Sequence, residues 1–190
     1  MFAGFAVLYS TRWGPGVGYD SMFYLDAAVN ISQGKGVYWI GSGGELKPLS
    51  HYPPVYPLVL ALPLAFGASQ ELAVRIPAVV IAGYNSYLIG YIIYHFTRRI
   101  WFALLAECVL MLSPVILRLH LLAMSDPLFF LWLLLSLFLL VRYLNEDRPL
   151  LYYLASASLA LAALNALCGL LCIGSRHAKG APIEARVAQR

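Results

Sequence analysis

The chain has 190 residues, of which 61% are hydrophobic and 12% are charged, and its formal net charge is +4. This composition leaves too little polar surface to cover a water-soluble domain, so an ordinary soluble enzyme or binding module is excluded. The mean hydropathy of +0.74 instead indicates an integral membrane protein.

The first third of the chain alternates short apolar and polar stretches. Residues 1–9 are apolar but only about half as long as a membrane span, so they are predicted to be the end of a first helix. A polar outer loop follows at 10–53, and residues 20–33 within it are predicted to form a short amphipathic helix. Residues 54–66 are apolar, short and rich in proline, which favours an interfacial or re-entrant piece.

Four longer apolar stretches come next, each with a continuous rather than alternating pattern. Continuous runs are typical of spanning helices, which need roughly 20 mainly apolar residues, whereas barrel strands alternate. The expected fold class is therefore all-α: a polytopic transmembrane helical bundle at 1–173, with a helical outer loop after the first span and a polar tail at 174–190. The predicted spans are 76–94, 100–117, 127–141 and 150–173.

The basic residues predict how the chain crosses the bilayer. Arg98 and Arg99 follow the first long stretch, and Arg142 and Arg148 follow the third. If each stretch crosses once, all four lie on one side, which the positive-inside rule makes cytoplasmic. The loop at 10–53 and the turn at 118–126 then both face outward, where their acidic residues would share one site.

Asp20 is the first candidate functional residue, and two interpretations of it stay open. It lies near the start of the predicted outer helix, where a carboxylate caps free backbone amides and is favoured by the helix dipole. In the other interpretation it belongs to an outward-facing site, with Tyr24 one turn later on the same helix face. Asp126 has the same two interpretations, because it also lies at a predicted helix start, just before Pro127.

The order of these features resembles the membrane-embedded glycosyltransferases of the GT-C superfamily. Within it, the chain is most similar to the family of protein O-mannosyltransferases, aminoarabinose transferases and rhizobial core transferases. The matching segments are GYDSMFYLDAA at 18–28, GKG at 34–36, HYPPVYPL at 51–58, LSP at 112–114 and AMSDPL at 123–128.

This resemblance implies a hexosyl or pentosyl transferase that moves a sugar from a polyprenyl-phosphate donor to an acceptor on the outer face of the membrane. Asp20 would be the catalytic base that takes the proton of the acceptor hydroxyl. Asp126 matches the family's second acidic position, where glutamate is more usual. The predicted substrate-binding residues are Tyr24, His51, Tyr52, Tyr56, Arg118, His120 and Asp126.

The partners expected from the residues are limited. Arg118 offers a bidentate fork for the donor's phosphate, although a helix-end arginine reaching for the membrane surface is an equally open interpretation. No metal ligand set is recognisable by spacing, and a divalent metal between two carboxylates stays open as a cofactor. No nucleotide-binding loop is present, and no nucleic-acid partner is predicted. The expected acceptor is a glycan, a lipid or a protein.

The expected location is the plasma (inner) membrane, with several crossings and the active site on its outer face. The polar end of the chain departs from the family pattern, so the sequence resembles the N-terminal fragment of a larger transferase, or a frameshifted end. A non-catalytic polytopic membrane subunit or a transporter fragment is the alternative, in which Asp20 and Asp126 only cap their helices.

Overall fold

The computed structural model of the protein describes residues 2–41, 43–50 and 52–179, and most of these residues are helical. The predicted helical class is therefore confirmed, with one small hairpin added. The elements are α1 (Phe2–Ser10), α2 (Tyr19–Ser32), β1 (Tyr38–Ile40), β2 (Leu46–Pro48), α3 (Val55–Ala65), α4 (Gln70–Thr97), α5 (Ile100–Leu112), α6 (Pro114–Leu121), α7 (Asp126–Glu146) and α8 (Pro149–Lys179).

Two of these helices, α4 and α7, are long and apolar enough to cross a membrane, within the part of the chain that the structure describes. They contain the predicted spans 76–94 and 127–141. Helices α5 and α6 form a bent pair that would be a third candidate span if the two were counted as one. Helix α3 and the stretch Pro149–Asn165 of α8 are apolar but shorter. The protein is thus a membrane protein by the length and composition of these helices. Helix α8 continues through the first residues of the predicted tail, and 180–190 lie outside the described residues.

The predicted span 100–117 is broken in two. The axes of Ile100–Leu110 and Pro114–Leu121 differ by 67°, and Ser113 between them has an extended backbone. Proline disfavours helical backbone in the residue before it and lacks the amide that would continue the helix. The prediction of one continuous helix was therefore wrong, and LSP is the sequence that breaks it.

Helices α4 and α7 run in the same direction. The side-chain amide of Asn85 in α4 donates to the carbonyl of Pro127 at the start of α7. Near the ends of both helices, Nδ2 of Asn145 lies 3.2 Å from Nε2 of His95. The ring of Tyr91 contacts that of Phe138 between these two points. Arg98 and Arg99 after α4 are therefore at the same end of the pair as Arg142 in α7 and Arg148 after it, as the charge pattern predicts.

The outer loop contains a hairpin that the sequence analysis did not predict. Strands β1 and β2 pair antiparallel, with Trp39 opposite Lys47. The hairpin is attached to α2 by Asn30, whose side-chain amide donates to the carbonyl of Tyr38 at 2.8 Å. Asn30 is only 3% exposed, near the end of α2.

Asn30 should therefore be important for holding the hairpin on α2. We expect Asn30→Ala to speed amide hydrogen exchange in β1 and β2 about five-fold, because one buried hydrogen bond contributes about 1 kcal/mol to the closed state. Ser32→Ala is the matched control, since Ser32 bonds only to Val29 of its own helix among the contacts described. Equal exchange in both variants would show that the hairpin is held by other contacts.

The main core lies where α2, α3, α4 and α7 meet, and it includes part of the outer segment. Its buried members come from all four helices and from the α6–α7 turn: Tyr24, Ala28, Tyr56, Leu60, Ala61, Val74, Ile81, Ala123 and Leu128. A second, smaller cluster joins α1 to α4 through Ala3, Val7 and Ala82. Gly4 makes that packing close, because a Cβ there would lie 3.1 Å from the carbonyl oxygen of Val79. Helix α2 thus shares the main core with α3, α4 and α7, through Tyr24 and Ala28.

Candidate functional site

Asp20 is the second residue of α2, as the sequence predicts. The first turn of the helix is closed by Ser21, whose hydroxyl accepts the backbone amide of Gly18 at 3.0 Å. The Asp20 carboxylate is half-buried and has a partner outside its own helix: the Tyr52 hydroxyl donates to Oδ1 at 2.6 Å. Asp20 therefore joins α2 to the segment before α3, beyond any capping role.

Tyr52 is held in place by its ring contacts. The ring stacks on Phe23 with the centroids 5.2 Å apart and the planes inclined by 20°, and it meets Tyr24 edge to face. Both contacts come from the helix that carries Asp20. The phenol hydroxyl is consequently aimed at the carboxylate by packing as well as by its hydrogen bond.

These rings belong to a longer row of aromatic side chains, which we call the aromatic ladder: Tyr19, Phe23, Tyr52, Tyr24 and Tyr56. Neighbouring rings along it have centroids 5.1–5.2 Å apart. The ladder begins at Tyr19, which is largely exposed, and ends at Tyr56, which is 4% exposed. Burial raises the pKa of the Tyr56 phenol, and the nearby Tyr24 raises it further. The Tyr56 hydroxyl, at the buried end of the ladder, therefore stays protonated. The ladder thus extends from the surface to the core alongside Asp20.

The two outer segments that the sequence predicts to meet do meet. The hydroxyls of Tyr24 and Ser125 are hydrogen-bonded at 3.0 Å. Gly16 forms a bridge with the α6–α7 turn: its amide donates to the carbonyl of Leu121, and its carbonyl accepts from Ala123. Ser125, the residue before Asp126, is therefore hydrogen-bonded to α2 at Tyr24, which lies one helical turn after Asp20. The role of Ser125 was not predicted, although it lies inside one of the segments that carry the family resemblance.

Gly16 allows this approach because it has no side chain. A Cβ there would lie 2.6 Å from Cδ2 of Leu122 and 3.4 Å from the carbonyl oxygen of Leu121. We expect Gly16→Val to destabilise the folded chain by about 1–3 kcal/mol, as overpacking does, and to lower Tm by roughly 2–4 °C per kcal/mol. Gly43→Val is the control, because a Cβ at Gly43 has no heavy atom within 4 Å. A wild-type Tm for Gly16→Val would contradict the close contact.

The remaining predicted site residues have different environments. Asp126 and Arg118 are exposed, at the start of α7 and in the last turn of α6. Tyr24, Tyr52 and Tyr56 are members of the aromatic ladder. The prediction for His51 lies outside the described residues.

His120 lies in the interior, 2% exposed. Its Nε2 accepts from the side-chain amide of Asn85 at 3.1 Å, and Nδ1 donates to the carbonyl of Ile116 at 2.9 Å. Because an amide nitrogen only donates, the ring is neutral with its proton on Nδ1. The same Asn85 amide reaches Pro127, so this buried network links α4, α6 and α7. These contacts give His120 a packing role, and the site we propose does not include it.

Comparison of the chain with family models, with curated proteins and with solved structures gave no match in any of the three. The chemistry of the site therefore rests on its own geometry. No three His, Cys, Asp or Glu side chains group as metal ligands in the described ranges. The geometry provides a carboxylate held by a phenol, aromatic walls on one side, and an exposed acid and arginine in the neighbouring turn.

Proposed function

We propose that the protein is a glycosyltransferase that uses a sugar on a polyprenyl phosphate, with Asp20 as the base. The observation that carries the proposal is the hydrogen bond between Tyr52 and Asp20, in a place where α2, α3 and the α6–α7 turn converge. A carboxylate held by a side chain 32 residues away is arranged differently from one that only caps its helix. The resemblance to the GT-C superfamily supports the same residue.

The proposed reaction exchanges one bond for another. Asp20 accepts the proton of an acceptor hydroxyl, and that oxygen forms a bond to the anomeric carbon of the sugar. The bond from that carbon to the phosphate oxygen breaks, and polyprenyl phosphate leaves with the electron pair. We propose that Arg118, which is exposed in the last turn of α6, pairs with the phosphate's negative charge.

The arrangement of elements suits a donor with a membrane tail. The isoprenoid chain of such a donor lies in the bilayer, and its phosphate lies at the membrane surface. Helix α7, one of the two candidate spans, begins at Asp126, next to the serine that contacts Tyr24. The proposed site is thus at the end of a candidate span, on the side opposite Arg98, Arg99 and Arg148. We infer an outward-facing site in the plasma membrane and several crossings by the chain.

The test is a transfer assay on membranes that contain the full chain. Polyprenyl phosphates with tritiated hexoses or pentoses are supplied, and label is followed from the organic-soluble donor to other products. We expect label to move with the wild-type chain and to remain on the donor with Asp20→Asn. Wild-type membranes that leave every donor intact would contradict the proposal and favour a non-catalytic membrane subunit.

A further inference from the structure

The end of α1 has a second cluster of chemical interest, separate from Asp20. Arg12 folds back over its own helix end: its guanidinium lies 4.7 Å from the ring centroid of Tyr9 and 5.4 Å from that of Trp13, and it donates to the Tyr9 hydroxyl. Trp13 is 88% exposed and Tyr9 is also exposed. Such exposed aromatic rings beside a cation are typical of the boundary between lipid and water.

A second arginine reaches the same end of α1 from α4. Arg75 is in the second turn of that candidate span, and its Nη2 donates to the carbonyl of Leu8, next to Tyr9 in sequence. Its Nε is buried and has no hydrogen-bond partner among the described residues. An arginine near the end of a membrane helix normally extends its guanidinium toward the surface. Arg12 and Arg75 therefore both reach the last turn of α1.

Neither arginine has a carboxylate partner in the described part of the chain. The ion pairs found there join Lys47 to Glu45 and both Arg142 and Arg148 to Glu146, at other places in the fold. Two cations without a described carboxylate partner, one of them over exposed aromatic rings, are electrostatically complementary to a phosphate at the membrane surface.

We propose that the end of α1 binds the phosphate of an anionic membrane lipid. We call the four residues that form this binding site the headgroup site: Tyr9, Arg12, Trp13 and Arg75. The guanidinium groups of Arg12 and Arg75 bind the phosphate, while Trp13 lies among the upper parts of the acyl chains. The site would fix the height of α1 and α4 in the bilayer. It does not depend on the proposed transferase activity, since it shares no residue with the Asp20 cluster.

The test uses the full chain in nanodiscs of phosphatidylcholine, in which a tenth of the lipid has brominated acyl chains. Bromine quenches the fluorescence of a nearby tryptophan. Two samples are compared: in one the brominated lipid is phosphatidylglycerol, and in the other it is phosphatidylcholine. The signal from Trp13 is the difference between each protein and the same protein with Trp13→Phe. We expect Trp13 to be quenched more strongly by brominated phosphatidylglycerol.

The variants identify which residues cause this preference. Each of Arg12→Gln and Arg75→Gln should lower it about five-fold, the equivalent of about 1 kcal/mol per cation at an anionic surface. Arg75→Lys keeps the positive charge and should retain most of the preference. Lys47→Gln is the control, because Lys47 already has a carboxylate partner. Equal quenching of wild-type Trp13 by the two lipids, or an unchanged preference in the Arg12→Gln, Arg75→Gln double variant, would overturn the proposal.

Discussion

Replacing Asp20 with asparagine should lower the rate of sugar transfer by about 10²–10⁴, which is the usual contribution of a positioned general base. The amide has nearly the same shape and still accepts the Tyr52 hydroxyl through its oxygen, so the fold should be retained. It cannot accept the acceptor's proton. Transfer of tritiated sugar from the polyprenyl-phosphate donor is the measurement.

The control for this variant is in the same helix. Asp26 also has a contact outside α2, since it accepts the amide of Ile40 at 3.4 Å, but it is on the hairpin side of the helix. Asp26→Asn should therefore keep a rate close to that of the wild type. If both variants lost activity equally, the loss would report damage to α2. If neither did, Asp20 would not be the base.

The second large effect is expected in the buried network around Asn85. Asn85→Ala leaves Nε2 of His120 without its donor in the interior and removes the side-chain hydrogen bond to the carbonyl of Pro127. An unpaired buried polar group costs about 1–3 kcal/mol, so we expect the free energy of unfolding to fall by about that amount. Unfolding of the full chain in mixed micelles, followed by circular dichroism as denaturant increases, measures it.

The chain provides a matched comparison, because a second asparagine–histidine pair joins α4 to α7, whereas the first joins α4 to α6. Asn145 and His95 are hydrogen-bonded at 3.2 Å, but both are at the exposed end of the helices. Asn145→Ala should change the free energy of unfolding by less than about 0.5 kcal/mol, as exposed substitutions usually do. Equal losses in the two variants would show that burial is not what makes the Asn85 network important.

Much of the helical part could be predicted because its signals are local. Residues 20–33 fold as α2 and the spans 76–94 and 127–141 lie within α4 and α7, since composition and length suffice there. The hairpin was missed because its strands have three residues each and flank a glycine-rich turn, which favours a loop. The break at Ser113 was missed because the hydropathy of 100–117 continues across it, although Pro114 supplied the signal.

The site could be predicted only in outline. Asp20, Tyr24 and Tyr52 are recognisable as candidates in the sequence, but the hydrogen bond from Tyr52 to Asp20 is not, because that contact depends on how α3 packs on α2. His120 was selected for its chemistry and its place in an outer turn. Whether a histidine faces the outside or the interior depends on the partners that α4 provides, and these are 35 residues away.

The hydrogen bond between Tyr24 and Ser125 joins residues 101 positions apart. At synthesis rates of about 5–20 residues per second, helix α2 leaves the ribosome roughly 5–20 s before the serine that it must contact. During that interval Tyr24 lacks its partner Ser125 and the face of α7 that later covers the main core. Completion of the Asp20 site is therefore a late event in the folding of the chain, and a variant that delays α7 would expose an aromatic surface to chaperones and proteases.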